Sequence, residues 1–298
     1  MKLYKKYNLN DDVGFLNVEL KKDNAKWIDP MMMYMDKSQM GMECCEIVQD
    51  FFSKLLEIAI SKNDNLGYKY TQHFREMNET RIGYSQNKPN GLSGGENLGK
   101  EIYTLIRKSN AIRTGMIGDI FDASVMIENL GPDKISDFIT SLIFEKLINY
   151  TQNECLKYNI PLKIVTIKNG FWSHDMKKWI HDVKVELPFD EESNMAIVFV
   201  PKNFTEGKVI YSYKRFYNKA MLPYLGKVAV ENKLDGLIKI LKDKTRKPLY
   251  KNIRKKYPCT RENVSNFIME HEDIYNDYFY LPNYLKNWYT MFRWLSWK

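Results

Sequence analysis

The feature that most constrains this chain is the helical pattern opened by Gly131-Pro132 and running to about Tyr158. Ile135, Phe138, Ile139, Leu142, Ile143, Leu147 and Ile148 fall near the 3.6-residue period and make one apolar face. Proline suits a first helical turn, where its missing N–H costs nothing, and Asp133 puts negative charge at the positive end of the helix dipole. A face this long and apolar has to be covered, so the chain must build a packed body around it. A second amphipathic helix spans residues 42–61, with Cys44, Val48, Phe51, Phe52, Leu55, Ile58 and Ala59 on its inner face. Glu46, Asp50, Lys54 and Glu57 fill the other face.

Residues 160–213 carry the β signal. The runs at 162–168, 182–188, 195–201 and 208–213 are β-branched and bounded by turn residues. MAIVFVP at 195–201 is continuously apolar and is expected as a central strand. The short spacings predict antiparallel neighbours. Residues 13–35 are expected to give two more short strands, with Pro30 at an edge or bulge and Met31, Met32, Met33 and Met35 as soft core filler. Between 168 and 182, Phe171, Trp172, His174, Trp179 and His181 read as a lid over the sheet, with stacking on bases as the alternative. From Phe216 to Lys244 the pattern is helical, with a kink or break at Pro223 and Gly226, and Thr260 caps a helix through about Tyr275. The expected fold is α+β: a mixed helix and mainly antiparallel sheet body over 1–213, then a basic, aromatic-rich helical C-terminal region over 214–298.

Charge separates these parts. Residues 203–298 hold 19 Lys and Arg against 9 Asp and Glu, while residues 1–202 hold 26 against 28. Lys239–Lys256 alone holds nine basic residues and one acid. Lys244, Arg246, Lys247, Lys251, Arg254, Lys255 and Lys256 are therefore the candidate nucleic-acid-binding residues, because Lys and Arg gain affinity from phosphates without choosing sequence. No apolar run approaches the length of a membrane span, and residues 1–10 lack the apolar segment of a signal peptide. Cys44, Cys45, Cys155 and Cys259 show no CxxC spacing and read as reduced thiols in a cytoplasmic protein; the Lys, Asn, Ile and Tyr usage points to an AT-rich genome, and the general cadence of the chain is that of a bacterial protein.

Several motifs look catalytic and fail on context. Gly91–Gly95 matches GxSxG, but the polar YSQNKPN before it is not the strand that a nucleophile elbow requires. Leu92–Glu96, LSGGE, resembles the signature of ABC-type ATPases over five residues, with no strand-embedded Walker motif beside it. Gly94–Lys100 matches GxxxxGK, yet Glu101 stands where a P-loop needs Ser or Thr for Mg²⁺. What survives is a Gly-rich loop leading into a helix at about Glu96–Lys108, able to offer N–H groups, with Lys100, to a phosphate.

The acids are better placed. Asp119, Asp122, Asp133 and Asp137 fall within 19 residues, more negative charge than helix capping needs, and hard oxygen ligands of this kind suit Mg²⁺. Pro132-Asp133 and Asp182-Val183-Lys184 supply the literal pieces of a PD-(D/E)xK metal nuclease, in which acids bind Mg²⁺ and the lysine activates water. They lie 48 residues apart, and Asp133 reads as helical, so no family is assigned on them. Lys202 is a second candidate for the lysine role. The expected function is a nucleic-acid-acting protein, foremost a Mg²⁺-dependent nuclease on DNA or RNA with Asp119, Asp122, Asp133, Asp137, Asp182 and Lys184 as catalytic candidates. The alternatives are a non-catalytic nucleic-acid-binding subunit of a larger assembly, and a protein-interaction or self-associating subunit using the tail that carries Trp288, Trp294 and Trp297.

Overall fold

The computed structural model describes residues 1–83, 95–109, 112, 117–168, 170–205 and 212–280. The fold is α+β. Its contacts divide the chain into two compact units: unit 1 is Met1–Lys108 with Leu130–Lys208, and unit 2 is Ser109–Asn129 with Val209–Lys298.

Unit 1 holds α1 (Leu3–Tyr7), α2 (Pro30–Met35), α3 (Gln39–Ser61), α4 (Asp64–Thr71) and α5 (Gly95–Lys108). In unit 2 lies α6 (Ile120–Met126), and unit 1 resumes with α7 (Pro132–Lys157). Its strands are β1 (Lys163–Ile167), β2 (Phe171–Ser173), β3 (Lys178–Ile180), β4 (Val183–Leu187), β5 (Phe189–Asp190) and β6 (Met195–Ala196). They pair only two by two, all antiparallel: β1 with β4, β2 with β3, β5 with β6. Helix α3 starts at Ser38, whose hydroxyl accepts from Gly41 N–H, and α7 starts at Pro132.

Helix α7 is the axis of unit 1. Besides its seven expected apolar positions it buries Phe144 and Cys155, and also Ser136, Thr140, Ser141 and Thr151. Three of those hydroxyls hold the surrounding chain. Ser136 Oγ accepts from Ile28 N–H at 3.0 Å, Ser141 Oγ donates to the Arg75 carbonyl at 2.9 Å, and Thr151 Oγ1 accepts from Phe199 N–H at 2.8 Å. An aromatic nucleus fills the side toward α3. Phe74 stacks on Phe138 at 4.6 Å, and Phe51 stacks on Tyr70 at 4.3 Å and meets Trp172 edge-on at 4.8 Å.

Several expectations need correction. The aromatic segment after residue 168 is the β2–β3 hairpin, and its tryptophans pack into that nucleus; Trp179 Nε1 donates to the Tyr70 carbonyl at 2.9 Å. MAIVFVP is not a central strand. Only Met195–Ala196 is paired as a strand, and Ile197–Val200 are buried without regular secondary structure. Their backbone groups are met singly: Ile197 N–H by the Pro188 carbonyl, Val198 N–H by the Glu79 carbonyl, and the Val200 carbonyl by Leu16 N–H. Pro188 and Leu16 are irregular and Glu79 lies in a 3-10 turn (Asn78–Thr80), so none of these bonds extends into a ladder. The expected strand around Pro30 is α2: Asp29 caps it by accepting from Met31 N–H, and Pro30 takes its first position. A short apolar run has no period by which to tell strand from helix.

In unit 2, α8 (Tyr213–Phe216) continues through a π-helical turn (Tyr217–Met221) into α9 (Leu222–Glu231). The widened turn stands where Pro223 would otherwise disturb a regular helix. The helix ends at Glu231, well short of Lys244. A hairpin of β7 (Ile238–Ile240) and β8 (Arg246–Pro248) follows, then α10 (Tyr250–Lys256), α11 (Arg261–Glu270) and α12 (Glu272–Tyr280). Thr260 caps α11 by accepting from Asn263 N–H, and the helix breaks at His271. Of the expected run at 208–213, residues 208–211 lie outside the described residues, as do 84–94 with most of the glycine motifs and the tryptophan tail at 281–298.

Thr151→Val keeps the shape of the side chain but leaves the buried Phe199 N–H without its acceptor. Denaturant unfolding should show a loss of about 1–3 kcal/mol; an unchanged midpoint would mean that α7 does not hold the 197–200 segment through this bond.

Candidate functional site

The entire formal charge of +8 rests on unit 2. Its residues include 19 Lys and Arg against 11 Asp and Glu, whereas unit 1 balances at 26 against 26. Within unit 2 the cations concentrate on the β7–β8 hairpin and α10. Lys239, Lys242, Lys244, Arg246, Lys247, Lys251, Arg254, Lys255 and Lys256 are all exposed. Among the described residues none of these nine stands in an ion pair. Asp243, the single acid of the segment, is engaged locally: its carboxylate accepts from Thr245 N–H at 2.9 Å, and that bonding holds it below the usual carboxylate range.

Helix α9 seats both elements. A Cβ added at Gly226 would come within 2.9 Å of the Tyr250 ring and 3.2 Å of Pro248, so the missing side chain makes room for the hairpin and α10. Leu249 N–H donates to the Leu237 carbonyl at 2.8 Å and Asn252 Nδ2 to the Gly236 carbonyl at 2.7 Å, closing the base of the hairpin. Arg254 donates to Asn218 Oδ1 at 3.0 Å and lies 5.6 Å from the centre of the Tyr217 ring.

The four candidate metal acids divide between the units. Asp119 caps α6, with Oδ1 accepting from Phe121 and Asp122 N–H groups at 2.8 and 3.0 Å. Asp122 is buried; Oδ1 accepts from the Tyr275 hydroxyl at 2.8 Å and Oδ2 from Gly118 N–H at 2.9 Å. Both have structural work in unit 2 that their spacing did not reveal. Asp133 and Asp137 lie four apart on the first turns of α7 in unit 1 and share a face.

Two acids that the sequence did not single out join them. Asp137 is pushed up to about 8, first by burial and then by the charges of Asp133, Glu76 and Asp23. Glu76 is raised as well, by burial and by Asp23 and Asp133. Glu76 lies beside Gly83, where φ is +151° and an added Cβ would come within 2.6 Å of its carboxylate. Asp23 and Glu76 come from distant irregular segments, so no spacing rule points to them. A carboxyl that titrates near neutrality can give or take a proton at physiological pH. Among the described residues no three His, Cys, Asp or Glu side chains form a set that could hold a metal ion.

The other candidates stand apart from any such grouping. Asp182 is an exposed turn residue with φ of +51°, and Lys184 is exposed on β4 opposite Thr166. Lys202 Nζ donates to the Asp11 carbonyl at 2.7 Å. Gly99 and Lys100 occupy the second turn of α5, past the helix start that a P-loop glycine and lysine would form. Gly99 has a packing reason instead: an added Cβ would lie 1.7 Å from the Thr71 carbonyl of α4.

These features define a two-unit α+β protein: unit 1 is neutral, and unit 2 carries exposed cations that stand in no ion pair among the described residues. The chain belongs to the family described as Domain of unknown function (DUF8370), which matches residues 6–212. The match covers unit 1 and the 109–129 segment and stops before the basic hairpin. No curated protein and no solved structure matches the chain. Among the described residues no helix is long and apolar enough to cross a membrane.

The raised Asp137 has a signed consequence. Between the ordinary carboxylate range near pH 4 and about pH 8, the folded state holds a proton that the unfolded state has lost, so stability falls as pH rises through that window. Glu76 acts in the same direction. Asp137→Asn removes the effect. After discounting for partial exposure, the wild type should lose about 1 kcal/mol more than the variant between pH 5 and pH 9, roughly 2–4 °C in Tm. Parallel pH profiles would show that Asp137 is not raised in the folded protein.

Proposed function

We propose that the protein acts on nucleic acid and that unit 2 grips the phosphate backbone through the β7–β8 hairpin and α10. The observation that carries this reading is the set of nine exposed cations without ion pairs on one hairpin and the helix after it. Isolated surface lysines are usually neutralised by neighbours or scattered; a contiguous unneutralised group raises a field that draws a polyanion and releases its counterions on binding. Contacts of Lys and Arg with phosphate position a nucleic acid without choosing its bases. Four free thiols accord with a reducing, cytoplasmic setting.

The test is a triple substitution on exposed positions, whose one lost contact among the described residues is that of Lys256 Nζ, 5.4 Å from the centre of the Tyr257 ring. Lys251, Lys255 and Lys256 are exposed side chains on α10, so replacing all three with Ala should leave thermal unfolding unchanged and weaken binding to a labelled oligonucleotide at least 10-fold at 100 mM salt. The dependence of log K on log salt should also flatten by up to about 2–3 units, near 0.9 for each duplex phosphate that the variant no longer neutralises. Unaltered affinity would remove α10 from the interface.

A catalytic reading, a Mg²⁺-dependent nuclease, is supported by the surroundings of Asp137: after burial, the charges of Asp133, Glu76 and Asp23 raise it, and Glu76 is raised by burial and by Asp23 and Asp133. A divalent cation would relieve that repulsion if the carboxylates turned toward it, and would supply the charge to activate water. Cleavage of DNA or RNA should then require Mg²⁺ and disappear in Asp133→Ala and Asp137→Ala variants of unchanged fold. Cleavage that survives both variants excludes the cluster.

A further inference from the structure

We infer that the β7–β8 hairpin is a groove-reading ribbon, so that the preferred partner is B-form duplex DNA rather than RNA or single strands. The inference rests on the phosphate-binding reading above and adds the class of nucleic acid to it.

The geometry of the hairpin is specific. Ile238 faces Pro248, Lys239 faces Lys247 and Ile240 faces Arg246. Leu241 N–H donates to the Thr245 carbonyl and Leu249 N–H to the Leu237 carbonyl, so hydrogen-bonded pairs alternate with open ones and Pro248 falls on an open pair, where no N–H is wanted. Successive side chains point to opposite faces. Ile238 and Pro248 are half-buried at the base near Gly226; Lys239 and Lys247 stand on the opposite face; Ile240 and Arg246 lie further out and are exposed. The ribbon therefore projects from its seat on α9.

Three features of that projection run against the stability of an isolated hairpin. Lys239 and Lys247 are like charges directly opposite each other, a pairing that destabilises a ladder. Lys244 occupies the left-handed position of the turn with φ of +63°, where glycine or asparagine would be unstrained. Ile240 is 66% exposed among cations, an aliphatic side chain that phosphate binding does not need. A two-stranded ribbon fits the major groove of B-DNA, where all three become useful. The opposed lysines and Lys244 meet the phosphates of the groove walls, Arg246 reaches base edges as a bidentate donor, and Ile240 offers an apolar contact such as a thymine methyl accepts. The major groove of A-form RNA is too deep and narrow for side chains to read. A membrane surface is less well matched, because interfacial binding needs a broad apolar face and the hairpin presents a single exposed isoleucine.

The experiment uses the full chain and four probes at equal salt: a 24-base-pair DNA duplex, the RNA duplex of the same sequence, its single DNA strand, and phosphatidylserine vesicles. The DNA duplex should bind at least 10-fold more tightly than either other nucleic acid. Arg246→Ala and Ile240→Ser, both on exposed positions, should bring the DNA and RNA duplexes to within about threefold while residual binding through α10 persists. Lys244→Gly relieves the turn, so it should fold at least as well and still bind duplex more weakly. Equal affinity for all three nucleic acids, or a preference for RNA or single strand, overturns the ribbon and leaves phosphate binding standing. Binding to vesicles alone, or to none of the probes, overturns both.

Discussion

Three hydroxyls on one helix make this architecture workable. Irregular backbone inside a core is costly unless each N–H and carbonyl finds a partner. Unit 1 runs several such segments against α7, and Ser136, Ser141 and Thr151 meet them at Ile28, Arg75 and Phe199. Among the described residues the sheets stay at two strands, and the irregular segments find partners other than one another. The same helix sets the acid cluster. Its first turns carry Asp133 and Asp137, and the Ser141 bond to Arg75 holds the backbone next to Glu76. Packing and electrostatics in unit 1 are thus consequences of one buried helix with a polar stripe.

Unit 2 works by a different principle. Its inner face is ordinary: Phe216, Tyr217, Ile253, Val264, Phe267, Ile268 and Tyr275 are buried, and Arg261 is held by the Ile127 carbonyl and lies over the Tyr213 ring. What distinguishes it is the charge left exposed. A neutral unit 1 and a unit 2 of +8 are joined in one chain, and the family match ends at residue 212, before the hairpin begins. The basic hairpin is therefore a property of this chain beyond what the family description covers.

Helices with a sustained period were legible in the sequence. Residues 42–61 and 132–158 correspond to α3 and α7 within a few positions, and Thr260 caps a helix as its residue type implies. Short apolar runs were not legible, because period, length and flanking residues all fail below about eight residues. MAIVFVP and WIDPMMMYM are the two cases; the first is threaded through the core and the second starts a helix at its Asp-Pro pair. The basic segment was legible as charge but not as a hairpin, since its strands are only three residues each and rich in lysine, a poor strand former. Within the acid stretch, spacing exposed Asp133 and Asp137. It could not show that Asp119 and Asp122 cap and brace α6 in unit 2, or that Asp23 and Glu76 join from elsewhere.

Hydrogen–deuterium exchange of the full chain with and without a saturating DNA duplex tests the central claim most directly. Added protection should concentrate in residues 237–256, where the proposed phosphate grip lies. Protection confined to unit 1, with 237–256 exchanging at its free rate, would contradict it.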